Sequence, residues 1–268
     1  MKNKIYFITY GDKNFNIAKK HIIALAKHSG FFEESISFGK ADLDSAFKKN
    51  YSEILNMQRG GGYWIWKHRI IENFLQQINK NDLIVYSDAG ATFNYKAKKR
   101  FFEYIDIING SDYGNFRIEC EPHFIENEWT ITELFDYFQL DKLSDVGTST
   151  QLEGGHMIIK KSDHTDYFMN EFKKVIRHDQ YLITDKYNKK QKFKNFKENR
   201  HDQSIFSLLS KKYGCEYIEN ETEYKNRPES QYDSPFLSVR RYGHGLKDKV
   251  KFYAFYNTKR KQPVYFPN

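Results

Sequence analysis

Apolar and polar positions along this chain switch repeatedly between a period of two and a period near 3.6. Lys4 to Tyr10 (KIYFITY) is rich in β-branched and aromatic residues and closes at Gly11-Asp12, which predicts a strand. From Phe15 to His28 the apolar residues Phe15, Ala18, Ile22, Leu25 and Ala26 fall at helical spacing. Ser35 to Phe38 reads as a second strand, and Asp42 to Leu55 as a helical or irregular connection. Lys67 to Asn79 sets Ile70, Ile71, Phe74, Leu75 and Ile78 on one helical face. It leads into the apolar run Leu83 to Tyr86, which stops at Ser87-Asp88-Ala89-Gly90. Strand, helix, strand, helix, strand in this order predicts an α/β fold with a mostly parallel central sheet flanked by helices. Its crossovers are expected to be right-handed.

Beyond that point, Tyr95 to Arg100 reads as basic surface and Phe101 to Ile108 as a helix, with Gly114 to Glu126 irregular or strand-like. Glu128 to Leu140 predicts one helix with Trp129, Leu134, Phe135 and Phe138 inward, and His156 to Lys160 a short strand. Ser162 is placed to cap a helix reaching Ile176, with Tyr167, Phe168, Phe172 and Val175 inward. The lysine-dense run Lys186 to Asn199 reads as a solvated loop. Ser204 to Tyr213 predicts a helix with Ile205, Phe206, Leu208 and Leu209 toward the core and Gly214 as its stop. Neither an internal repeat nor a clean linker interrupts the chain, so a single domain is expected.

Composition narrows the class. The 268 residues are 39% hydrophobic and 29% charged, as for a globular chain rather than a disordered one. Aromatic residues make up 17%, enough for a large core or for a site that stacks on bases and sugar rings. A net charge of +8 fits a lysine-rich solvated surface, and also attraction to a polyanion, an anionic membrane or a diphosphate. Two cysteines, Cys120 and Cys215, make neither a disulfide framework nor a zinc site. No window approaches the roughly 18 apolar residues of a membrane span, and the N-terminus has no signal-peptide core of useful length. A cytoplasmic location is expected.

The first candidate for chemistry is Asp88, because open α/β sheets bind ligands in the crevice outside the carboxyl ends of their strands. The second is Arg59-Gly60-Gly61-Gly62-Tyr63-Trp64-Ile65-Trp66-Lys67. Three glycines permit close backbone approach, and Arg59 and Lys67 favour a phosphate-bearing ligand. The alternative is a structural loop with core tryptophans. The stretch is neither a Walker nor a Rossmann fingerprint.

FITYG, RGGGYWIWK, YSDAG, QLEGGHMIIKK and RHDQSIFSLL follow one another in an order that resembles nucleotide-sugar glycosyltransferases of the GT-A fold. The set is similar to small bacterial and viral capsule or lipopolysaccharide enzymes and covers roughly residues 4 to 214. The resemblance implies a hexose moved from a nucleotide diphosphate sugar, a UDP-sugar favoured, to a glycan or lipid-linked acceptor. It divides the chain into a nucleotide-binding half (about 1–95), an acceptor-side half (about 96–245) and a basic aromatic tail (about 246–268). In such enzymes a DxD motif at this strand end holds a divalent metal on the diphosphate. Here Asp88 is present and Gly90 stands at the third position, so Mn²⁺ or Mg²⁺ would have one carboxylate from this motif. The HxxGxxK-like stretch of retaining members is loosely matched by His244-Gly245-Leu246-Lys247, which implies His244 as a second ligand and Lys247 as a diphosphate contact. Thr9, Tyr10 and Gly11 would hold base and ribose, Arg59 and Lys67 the nucleotide or its phosphates, and Asp88, Ala89 and Gly90 the donor. Gly154 and Gly155 would let the backbone approach the donor sugar, with His156 on the acceptor side.

Asp202-Gln203 resembles the DQ at the start of a helix in those enzymes. Asp202 is either an N-cap or a group that binds sugar hydroxyls or acts as general base, which would give inversion. Gln203 nearest the anomeric carbon would point to retention. The tail implies peripheral contact with an anionic inner membrane face. Two other classes compete: a nucleic-acid binder, favoured by charge and aromatics but with no RNP, KH or zinc motif, and a GT-A-like domain without catalysis. With the transferase reading in the lead, nucleic acid is not an expected partner.

Overall fold

The computed structural model describes residues 3–223 and 233–239. His244, Lys247 and the tail lie outside the described residues.

β1 (Ile5–Tyr10) lies between β2 (Glu34–Phe38) and β3 (Leu83–Ser87), parallel to both. Between β1 and β2 runs α1 (Asn16–Ser29). Between β2 and β3 come α2 (Ser45–Asn50), α3 (Ser52–Leu55), the single turn α4 (Gly60–Tyr63) and α5 (Trp66–Leu75). After the short β4 (Thr92–Phe93) and α6 (Lys98–Asn109), β5 (Asn115–Ile118) enters the sheet, followed by α7 (Glu126–Trp129), α8 (Thr132–Phe138) and α9 (Asp145–Thr148). β6 (His156–Lys160), α10 (Asp163–His178), α11 (Asp202–Tyr213), β7 (Glu216–Ile218) and β8 (Phe236–Leu237) complete the order. The main sheet reads β2-β1-β3-β6-β5-β7, and β4 pairs with β8 in a second, two-stranded sheet. β6 runs antiparallel to both β3 and β5, while β7 is parallel to β5. The sheet is therefore mixed and mainly parallel.

Every residue of β3 is buried. Leu83 and Val85 face a layer with Phe7, Ile22, Phe101 and Ile105 of β1, α1 and α6. Ile84 and Tyr86 face the opposite layer with Ile70, Phe74, Phe172 and Phe206 of α5, α10 and α11. A strand covered on both faces reads as a continuous apolar run, which is what LIVY is. Ser162 caps α10 as its sequence suggests, accepting from the Thr165 amide while its own amide donates to the Thr165 hydroxyl.

Two expectations are corrected. The single helix over 128–140 is two, because Thr130 and Ile131 are extended. The Thr130 hydroxyl bonds Glu126 Oε1 and the Gln191 amide oxygen takes the Thr132 amide, so local side-chain bonds compete with the helix ladder. The run 186–199 is a loop, but its end is fixed: Asn199 is buried and donates to the carbonyls of Leu182 and Thr184.

Arg117 on β5 is fully buried, and none of its guanidinium nitrogens has a hydrogen-bond partner among the described residues. It lies over the rings of Phe206 (4.8 Å) and Phe168 (5.7 Å). Burial, first of the causes, lowers its pKa to about 10, so it is still charged at neutral pH. Ring contacts return about 2 kcal/mol at most, less than a desolvated cation without bonds costs. Arg117→Met is therefore expected to keep or raise the melting temperature; a fall of several degrees in a thermal scan would contradict this.

Candidate active site

The RGGGYW stretch forms a left-handed turn. Gly60, Gly61, Gly62, Tyr63 and Trp64 have consecutive positive φ values of 58°, 60°, 100°, 51° and 57°. Two of these are not glycine, and such backbone costs on the order of 1–2 kcal/mol per residue. The turn passes directly into α5, and the second residue of that helix is Lys67. His201, which precedes α11, also has a positive φ, 61°, with ψ −124°. Its ring packs edge-on to Tyr63 and stacks on Trp64, with Nδ1 3.0 Å from the Ile183 carbonyl. Each strained segment thus grips the other, and the next residues in chain order, Lys67 and Asp202, meet. Strain of this kind persists only where the surroundings enforce it, and it clusters at functional sites.

Lys67 is 2% exposed and its ammonium is the hub. It lies 2.6 Å from Asp202 Oδ2 and 3.3 Å from Asp88 Oδ1, and donates to the Gly154 carbonyl at 2.8 Å. Tyr86 donates its hydroxyl to the same Asp88 oxygen at 2.5 Å. Asp88 occupies the end of β3, where its amide bonds the Gly155 carbonyl and the register sets Ser87 opposite His156. Only an antiparallel β6 places its first residues there. Burial works against the Lys67 charge, but Asp202 and then Asp88 outweigh it and hold the ammonium protonated. Burial pushes Asp202 up to about 6, with Lys67 opposing and the Asp88 charge adding to the rise.

Above this hub opens a cavity of about 560 Å³. It is lined by Tyr10, Gly11, Asp12, Asn14 and Phe15 at and after the end of β1, by Asp88, Ala89, Gly90, Gly155 and His156 where β3 meets β6, and by Cys120, Phe124 and Arg200. Gly60, Gly61, Trp64, Trp66 and Gln203 also face it. Tyr10 is stacked on Trp66 at 3.7 Å, so the two rings support each other at the cavity edge. Gln203 is held at both ends, its oxygen by the Gly154 amide and its nitrogen by Gln151.

Not every residue singled out in the sequence reaches the cavity. Arg59 pairs with Asp185 and Glu198 instead. Thr9 is wholly buried behind Tyr10 in β1. Asp202 is not an N-cap: the cap position is His201, and Asp202 is the first helical residue, buried and paired with Lys67. His156 does line the cavity, but its ring is buried, Nδ1 facing Ser87 and Nε2 facing Ser238, and burial lowers its pKa to about 4. The sequence reading missed Glu153, Arg200, Phe124 and Asn220. Only Glu153, followed by two glycines in QLEGG, carried a visible signal.

The donor set bears on a metal. Asp88 has a side chain 41% exposed, with Oδ1 taken by Tyr86 and Lys67. Its Oδ2 lies on the Gly155 side. Among the described residues no group of three His, Cys, Asp or Glu could hold an ion. The residues therefore fit a hard divalent cation only as one carboxylate joined to ligands that a substrate would bring.

No protein-family model matches the sequence, and no curated protein matches it. Solved structures do. The bifunctional glycosyltransferase WbbM in its apo form superposes with a TM-score of 0.53 over 98% of this chain and 50% of that one, at 9% identity. A glycosyltransferase involved in glycosylation of the major capsid of PBCV-1 gives 0.48 over 94% and 98%, at 10% identity. The galactosyltransferase LgtC, solved with donor and acceptor sugar analogues, gives 0.40 over 94% and 95%, at 10% identity. At such identities the likeness to WbbM shows the fold, which is GT-A, and the chemistry has to come from the site. Among the described residues no helix is long and apolar enough to cross a membrane.

Proposed function

We propose that this protein is a glycosyltransferase that moves a hexose from a nucleotide diphosphate sugar to a glycan or lipid-linked acceptor. The observation that carries the reading is the buried Lys67 ammonium, fixed between Asp88 and Asp202 beneath a cavity at the carboxyl end of β3. A structural lysine is not usually buried and shared between two carboxylates under an open cleft. A preorganised cation there suits the negative charge that develops on a departing diphosphate.

In this arrangement Tyr10, Gly11 and the residues after them hold the nucleoside. Asp88, with Ala89 and Gly90, meets the ribose or donor sugar, and the Gly154-Gly155 backbone lies against the sugar. Asp202, behind Lys67, fixes the ammonium in place. Gln203, pinned by Gly154 and Gln151, faces the sugar from α11. A Mn²⁺ or Mg²⁺ ion would have Asp88 as its one described protein ligand and would add positive charge at the diphosphate.

The test is a thermal shift of the protein with UDP, GDP, CMP and UDP-hexoses, with and without Mn²⁺. A ligand bound only by the native state adds RT ln(1 + [L]/Kd), about 2.7 kcal/mol at a hundredfold excess over Kd. One nucleotide diphosphate is expected to stand out. Equal, small shifts for all of them, alongside a salt-sensitive shift by single-stranded DNA, would favour the nucleic-acid reading instead.

A further inference from the structure

Asp202 is poorly placed to take a proton from an acceptor, because it is 4% exposed, paired with Lys67 and not part of the cavity lining. A different carboxyl is open to that space. Glu153 lies one residue before Gly154, whose carbonyl and amide bind Lys67 and Gln203. It is only 8% exposed, yet it lines the cavity. Asn220 Nδ2, at 2.9 Å, and the Thr222 hydroxyl both donate to Oε1. Oε2 has no hydrogen-bond partner among the described residues. Behind it a chain of side chains runs from Thr222 through Ser238 to His156 and Ser87. The carboxyl is thus oriented through one oxygen and leaves the other for a ligand.

We propose that Glu153 is the general base that activates the acceptor hydroxyl, and that the acceptor is a saccharide seated toward Phe124. The assignment rests on the transferase reading above. Phe124 faces the cavity and is backed by Trp129 at 4.9 Å and by Arg200 at 5.0 Å, a supported aromatic surface of the kind a sugar ring stacks on. In the step, the acceptor oxygen forms a bond to the anomeric carbon as the bond from that carbon to the phosphate oxygen breaks. The electron pair leaves with the nucleoside diphosphate, and the hydroxyl proton passes to Oε2 of Glu153. A single displacement inverts the anomeric centre.

The surroundings set the pH range in which Glu153 can act. Burial raises its pKa to about 8, opposed by the bonds from Thr222 and Asn220 and assisted by the Glu223 and Asp88 carboxylates. Burial raises the pKa of the nearby Cys120 thiol, with the Arg200 charge opposing the rise, and burial lowers that of His156. As a base Glu153 works ionised, so turnover rises with pH through about 8. Loss of the Thr222 bond, which favours the ionised form, moves that rise to higher pH.

The experiment measures UDP or GDP released from the matching nucleotide hexoses, with and without soluble oligosaccharide acceptors, between pH 6 and pH 9.5. Glu153→Gln is expected to reduce kcat roughly 100- to 10,000-fold while the nucleotide-induced thermal shift is kept. Thr222→Val is expected to displace the pH limb upward and so to lower the rate most below about pH 8, and Glu153→Asp to recover part of the rate lost in Glu153→Gln. Wild-type release matched within threefold by Glu153→Gln, or a product of retained configuration, overturns the assignment alone. Absence of release by the wild type from every sugar overturns the transferase reading, and the assignment with it.

Discussion

Replacement of Lys67 by methionine is expected to destabilise the protein by about 3–5 kcal/mol and to abolish transfer. The substitution keeps the length of the side chain but strands two carboxylates. Asp202 is 4% exposed and Lys67 is its ion-pair partner among the described residues, so its charge would lose that pairing in a buried site. Breaking one side of a buried pair costs about this much, whereas removing both sides costs far less. For a chain of this size the loss corresponds to a fall of roughly 6–20 °C in melting temperature. A double variant, Lys67→Met with Asp202→Asn, should recover most of that fall and none of the activity. If the single variant melts within 2–3 °C of the wild type (about 1 kcal/mol), the ammonium is not the structural hub described above.

Gly62→Ala is expected to be nearly as damaging, for reasons of backbone rather than charge. Its φ of 100° is unfavourable for any L side chain, and a Cβ there would fall 2.8 Å from Leu55 Cα and 2.9 Å from the Ile54 carbonyl oxygen. Those atoms belong to α3 and cannot turn aside as a side-chain tip can. Left-handed strain and overpacking together amount to about 2–5 kcal/mol, and any relief would shift α5 and with it Lys67. Gly61 provides the control. Its φ of 60° is ordinary left-handed backbone, and a Cβ would meet nothing closer than Trp66 Nε1 at 3.8 Å. Gly61→Ala should therefore cost only about 1–2 kcal/mol. Chemical denaturation of the two variants side by side decides the point; equal losses would mean that the turn tolerates a side chain at both positions.

Much of this architecture was legible in the sequence because its signals were local. LIVY followed by SDAG marked a buried strand with a carboxylate at its end, and Ser162 and Gly214 marked helix boundaries. What the sequence could not show was pairing over distance. Lys67 read as a phosphate contact because it followed three glycines and an arginine. Its partners lie 21 and 135 positions further on, and they come together only through the antiparallel entry of β6 and the strained approach of His201 to Trp64. Arg59 has the same charge and is a near neighbour in sequence, yet it is spent on Asp185 and Glu198. The glycines read as freedom for a ligand to approach; in the structure they are first a requirement of a left-handed turn. Glu153 was passed over because a single acidic residue before two glycines has no periodicity to mark it as buried.

Protonation offers a further check on that carboxyl. The folded-state pKa of Glu153, about 8, is above its ordinary value of 4.5, so the native state holds a proton that the unfolded chain gives up between those pH values. Its contribution to stability is present below about pH 4.5 and is lost as pH rises through 8. Measured against Glu153→Gln, which cannot titrate, the wild type should lose relative stability steadily across that window. A difference in melting temperature that stays flat from pH 5 to pH 9 would place the carboxyl in water rather than in the cavity wall.

On this mechanism a nucleotide diphosphate sugar is turned over above Lys67. That turnover is tested most directly by following nucleoside diphosphate release from a panel of nucleotide hexoses. The wild type would be compared with the folded double variant, Lys67→Met with Asp202→Asn. The account predicts release from one donor class by the wild type and a loss of at least two orders of magnitude in the double variant. Equal release by both proteins, or none by the wild type from a nucleotide sugar that it binds, would contradict it.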